Sequence, residues 1–103
     1  MPLYLVRCLD KPGGAAIREA NYPAHREHLK RLGPAMKLSG PIVAEEGGAR
    51  IGSVLVFDCP DIAAARALAA SDPFAEAGLF ATVTVDRFLD VTGGKPAFAT
   101  PAP

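Results

Sequence analysis

Two hydrophobic periodicities alternate along this chain in the order strand, helix, strand, strand, helix, strand, and that order restricts its folds more than any single motif. The clearest run is Arg50 to Asp58, where Ile51, Ser53, Leu55 and Phe57 point one way and Gly52, Val54 and Val56 the other, the period-two signature of a strand between unlike surroundings. Leu3 to Leu9 is a first strand, closed by the turn formers Asp10-Lys11-Pro12-Gly13-Gly14. Met36 to Ala44 reads as the second strand, its Gly40-Pro41 favouring an edge or a bulge, with a hairpin loop at Glu45 to Ala49. Leu79 to Val91 is the last strand, alternating Ala81, Val83, Val85 and Leu89 against Phe80, Thr82, Thr84 and Phe88.

Between them lie two helical runs. The first extends from Ala15 to Leu32 and is predicted to break or kink near Tyr22, because Pro23 suits a first helical position rather than an interior one. The second, rich in alanine, covers Pro60 to Ala70 and is followed by a short turn, SDPFAEAG. The resulting βαββαβ order is the ferredoxin-like split βαβ arrangement, an α+β fold. It predicts one domain over residues 1–91 and a frayed tail over 92–103, docked through Phe98. Two helices blanket only one face of a four-stranded sheet. The other face keeps apolar side chains, and covering it with a second copy predicts a homodimer.

Composition excludes several partners. The 103 residues carry 11 Lys+Arg and 11 Asp+Glu, so no charge excess points to nucleic acid or an acidic membrane. The first residues lack the apolar run of a signal peptide, and no stretch of about 18 apolar residues occurs, which predicts a cytoplasmic protein. Cys8 and Cys59 lack CxxC spacing and read as small buried hydrophobes. The paired glycines at 13–14, 47–48 and 93–94 are turn formers without a nucleotide-binding pattern. Arg7 and Arg87 are expected to pair with acids or a partner subunit.

The only histidines, His25 and His28, lie in HREHLKRL. At about 100° per residue they share one arc with Leu29 and Leu32, the inward face of the helix. Three readings compete: hydrogen-bonded histidines at the edge of the core, a general acid or base, or a metal ligand pair. HxxH puts both rings on one side, but two ligands are too few for a site and no further motif completes it. Asp72, before Pro73, is a good N-cap. A carboxylate fixed by backbone N–H groups is also well placed to orient an imidazole, so the two roles are compatible. Ser53 lies on the strand face opposite Gly52, without a GxSxG elbow, and either supports the structure or donates into a cleft.

Taken in order, His28-Leu29-Lys30-Arg31-Leu32, Gly40-Pro41, Gly52-Ser53, Asp72-Pro73-Phe74 and Ala77-Gly78-Leu79-Phe80 resemble the YCII-related (YciI-like) family, over about residues 3 to 91. That resemblance implies a dimeric α+β barrel of ferredoxin-like subunits, with a histidine and an aspartate as the active site. By position these are His28 and Asp72, while His25, Ser53 and Phe74 are expected to contact the substrate. The position three before the motif histidine, often Arg in such proteins, is His25 here, which predicts weaker anion binding. The loop GPAMKLSGP also lacks an acid that some members carry. The function expected is proton transfer on a small organic molecule without cofactor or metal, of isomerase or lyase type. The competing expectation is a non-catalytic domain that binds a metabolite or a protein partner.

Overall fold

The computed structural model describes residues 2–94, so the expected docking of Phe98 lies outside the described residues. Its elements are β1 (Leu3–Asp10), α1 (Ala15–Leu32), a 3-10 turn (Gly33–Ala35), β2 (Met36–Val43), β3 (Arg50–Asp58), α2 (Ile62–Ala70), α3 (Pro73–Glu76) and β4 (Phe80–Phe88). The strands form one antiparallel sheet in the order β2-β3-β1-β4, with β3 inserted between the ends of the first βαβ unit. This is the ferredoxin-like α+β topology that the order of periodicities predicts.

Alternation in β1 sends Tyr4, Val6 and Cys8 to the helical face, opposite Leu55 and Phe57 of β3. Ala65 and Ala69 of α2 pack on them, their small side chains letting the helix sit close to the sheet. Phe57, Leu55, Val6 and Cys8 are fully buried, and each of the larger apolar side chains gains about 1.5–3 kcal/mol from leaving water. The N-terminus of α2 is fixed by Asp61, whose carboxylate accepts from the Ala64 amide at 2.8 Å.

Three details depart from the sequence expectation. First, α1 is one continuous helix through Pro23. Pro23 lies on its exposed side, while Arg18 and His25 are tied down on the buried side to either side of it, so tertiary contacts anchor both halves of the helix. Second, the register slips between Leu9 and Asp10: Leu9 faces Thr82, whereas Asp10 faces Phe80. Ala81 is the extra residue of this bulge. Phe80 therefore packs with Val85 on the core side rather than on the opposite one. Third, β4 ends at Phe88 rather than Val91, because Phe88 already pairs with Leu3, the first residue of β1. Leu89 and Val91 are left exposed.

The face away from the helices carries Leu5, Leu9 and Val54, with Leu38 of β2 and Phe88 of β4 exposed at 43% and 40%. Toward one end of the strands, Gly52 leaves no room for a side chain: a Cβ there would run into the carbonyl oxygen of Cys8 and crowd Ile42 at 3.0 Å. Gly52→Ala is expected to lower stability by about 1–3 kcal/mol through this overpacking, read as a lower urea midpoint with an unchanged slope.

Candidate active site

The site grows from three short sequence decisions. The alternation that sends Tyr4, Val6 and Cys8 to the helical face continues to Asp10 and aims it at α1, where Arg18 meets it in a two-pronged pair, Nε to Oδ2 at 2.8 Å and Nη2 to Oδ1 at 2.9 Å. Nη2 also donates to Ser53 Oγ on β3 at 3.1 Å. The Ser71-Asp72-Pro73 step starts α3, with Asp72 Oδ1 accepting from the Phe74 amide at 2.9 Å and Pro73 at the first helical position. Two turns beyond Arg18 on α1, His25 presents Nδ1 to both oxygens of Asp72 at 2.9 Å.

The Phe74 ring binds these parts together. It stacks on His25 with centroids 4.1 Å apart and planes 17° from parallel, and the Arg18 guanidinium lies 4.6 Å from its centroid. Phe80 meets it edge-on at 6.2 Å. Asp72 is 2% exposed and His25 7% exposed, so their bond is shielded from competing water. Cys8, nearby in the core, has its thiol pushed up to about 12 by burial first, with the Asp72 and Asp10 charges adding to it. It is a neutral packing residue at any physiological pH.

An ionised carboxylate only accepts, so Nδ1 carries the proton and Nε2 is left with the lone pair when the ring is neutral. Among the described residues Nε2 has no hydrogen-bond partner and is not sealed from solvent. His25 lines a cleft of about 420 Å³ between α1 and the β2–β3 side of the sheet, with Leu29 and Leu55 in its wall. Such a volume suits a single-ring molecule. A second, larger hollow of about 680 Å³ between α2 and β4 contains neither histidine.

The structure corrects two expectations about individual residues. His28 does not reach Asp72; its Nε2 lies 3.5 Å from Ser71 Oγ in an exposed position. Along α1 it is about 60° away from His25, whereas Arg18 and Leu32 are about 20° away on either side, so the centre of the buried arc falls on His25. Phe74 does not reach a ligand either, being fully buried behind the imidazole. It positions His25 instead. Ser53 and His25 both line the cleft. The HxxH pair does not converge, and among the described residues no group of three or more His, Cys, Asp or Glu side chains gathers.

Sequence reasoning missed Asp10 and Arg18, although Arg18 stands seven residues before His25 on the same helical stripe. It also missed Tyr22. Arg26 Nη1 donates to the Tyr22 hydroxyl at 3.1 Å, and the Arg26 and Arg50 guanidiniums lie 5.8 Å and 5.7 Å from the ring centroid.

These features define a small ferredoxin-like domain with a buried carboxylate–imidazole pair opening on a cleft. The chain belongs to the YCII-related domain family, whose model matches residues 2–89. No curated protein matches it. Among solved structures it is similar to 5-chloro-2-hydroxyhydroquinone dehydrochlorinase (TftG) from Burkholderia phenoliruptrix AC1100, in complex with 2,5-dihydroxybenzoquinone. The two share 29% identity over 88% of this chain and 97% of that one, with a TM-score of 0.81. An antibiotic biosynthesis monooxygenase, at 18% identity over 88% and 99% of the two chains with a TM-score of 0.54, shares the fold. So does SnoaB, a cofactor-independent oxygenase from Streptomyces nogalater, at 16% identity over 86% and 91% with a TM-score of 0.50.

The hydrogen bond from Arg26, followed by that from Arg50, holds the Tyr22 phenol below its ordinary 10.0. Both cations favour the phenolate, so removing one moves the titration upward. In a near-ultraviolet pH titration assigned with Tyr22→Phe, the Tyr22 transition of Arg26→Met is expected at higher pH than in the wild type.

Proposed function

We propose that this protein is a small-molecule enzyme that uses His25 and Asp72 to move a proton on a hydroxylated ring substrate, in an elimination or isomerisation. The observation that carries this reading is the 2.9 Å bond between buried Asp72 and His25 Nδ1, which leaves Nε2 free on a ring that lines the cleft. Nε2 takes a proton from a ring hydroxyl or an adjacent carbon. The electron pair left behind forms a double bond as a leaving group departs, or is reprotonated at another carbon. Asp72 holds the ring in the tautomer this requires and lies beside the charge that develops on it. Hydrogen and leaving group depart together, or a proton only changes position, so the balance consumes no external oxidant or reductant. The dehydrochlorinase activity of the similar TftG is of this type and supports the reading.

The test is turnover of chlorinated hydroxyhydroquinones, followed by chloride release and quinone absorbance. His25→Gln is expected to lower kcat by about 10²–10⁴-fold, with Asp72→Asn also impaired and His28→Gln close to wild type. Undiminished turnover by His25→Gln would falsify the proposal.

We also propose that the apolar sheet face is covered by a second copy of the chain. Leu38 and Phe88 are large, apolar and exposed on it, and isologous packing of two such faces removes both from water at once. Light scattering after size exclusion is expected to give twice the chain mass, falling to the single mass in Leu38→Glu/Phe88→Glu. A wild type that stays monomeric at high concentration would refute this.

A further inference from the structure

The whole chain is electrically balanced, yet the cleft is not. Arg18, Arg26, Lys30 and Arg50 line it, and no Asp or Glu does. Arg18 is neutralised by Asp10. Among the described residues, Arg26, Lys30 and Arg50 have no acidic partner. Arg26 and Lys30 come from successive turns of α1 and Arg50 from the start of β3, so the cations approach from both walls. Both guanidiniums rest against Tyr22, which limits their freedom before anything binds. The Tyr22 ring lies 6.5 Å from the His25 ring, about the breadth of one substituted six-membered ring.

We infer that the Tyr22 end of the cleft is a carboxylate-binding subsite, so that the substrate is a small ring acid whose carboxylate lies opposite the atom served by His25. This inference rests on the reading of the His25 cleft as the substrate site. A guanidinium presents parallel N–H groups that match the two oxygens of a carboxylate, and the second cation strengthens the attraction without a desolvated acid to compete. Tyr22, with its hydroxyl already bonded by Arg26, completes the rim as a second polar contact. The aromatic face of a ring acid would then span from the imidazole to the phenol, filling a cleft of about 420 Å³.

The matched probes are 4-hydroxybenzoate and 4-hydroxybenzamide, which differ in charge at one end and share the phenol at the other. Binding to the wild type, Arg26→Met/Arg50→Met and His25→Gln is followed by amide NMR titration, which also reports whether each variant is folded; Arg50→Met alone serves if the double variant is not. The acid is expected to bind the wild type at least about tenfold more tightly than the amide, a gap of about 1.4 kcal/mol. This preference should shrink with added salt and collapse in the arginine variants. It should persist in His25→Gln, which separates this subsite from the catalytic role: loss of turnover with retained acid preference supports the subsite whatever becomes of the proton-transfer reading. Equal affinity for acid and amide in the wild type, binding of neither, or a preference that survives the arginine variants overturns the inference. Displacement of the acid by an equal concentration of inorganic phosphate would also overturn it, by showing a general anion site.

Discussion

Everything near the cleft depends on the two acid–base pairs on the underside of α1. Asp10 and Arg18 have side chains only 7% and 9% exposed, and Asp72 and His25 are 3% and 9% exposed. Charges so far from water are tolerated only when they are paired and hydrogen-bonded, and removing one partner of such a pair costs about 3–5 kcal/mol because the other is stranded. The pairs therefore act as two pins, seven residues apart, that fix both the rotation and the axial position of α1. Phe74 lies against both the imidazole and the guanidinium and leaves little room for either to move independently. A helix with weak amphipathicity and an internal proline is held in place in this way by polar contacts rather than by a broad apolar stripe.

The same geometry resolves an apparent conflict in the role of Asp72. As a cap it satisfies the Phe74 amide, and as a hydrogen-bond acceptor it holds His25. One carboxylate has enough lone pairs for both, so its capping bond helps to immobilise it for the second task. The local sequence shows only the cap. Its meeting with an imidazole forty-seven residues away is a property of the sheet order, which brings the start of α3 beneath the middle of α1.

That contrast explains what the sequence could and could not reveal. Strand alternation in Arg50–Asp58 and the order of elements carry the fold, because burial of one face imposes period two on every strand. The bulge after Leu9 is invisible locally, since nothing in Leu9-Asp10 or Phe80-Ala81 requires an extra residue, yet it decides which way Phe80 points. Pro23 misleads because helix propensity is a local rule that tertiary anchoring outweighs. The histidine–aspartate contact was legible only as a pair of residue types. Choosing His25 over His28 required the centre of the buried arc, which Arg18 reveals only when it is counted as an inward-facing residue despite its charge.

The arrangement also keeps the cleft and the apolar sheet face apart. Arg26, Lys30 and Arg50 stand at the helical side of the sheet with His25, whereas Leu38, Leu5 and Phe88 occupy its opposite face. Val54 and Ser53 are neighbours in sequence on β3, but alternation sends one toward the proposed dimer contact and the other to Arg18. A second copy packed on the apolar face would therefore stiffen the strand that carries Ser53 and Arg50 without covering the cleft. Because a one-residue slip in β3 would exchange those two faces, the close fit of Gly52 against the Cys8 carbonyl helps to keep the polar residues on the side of the sheet where a ligand can reach them.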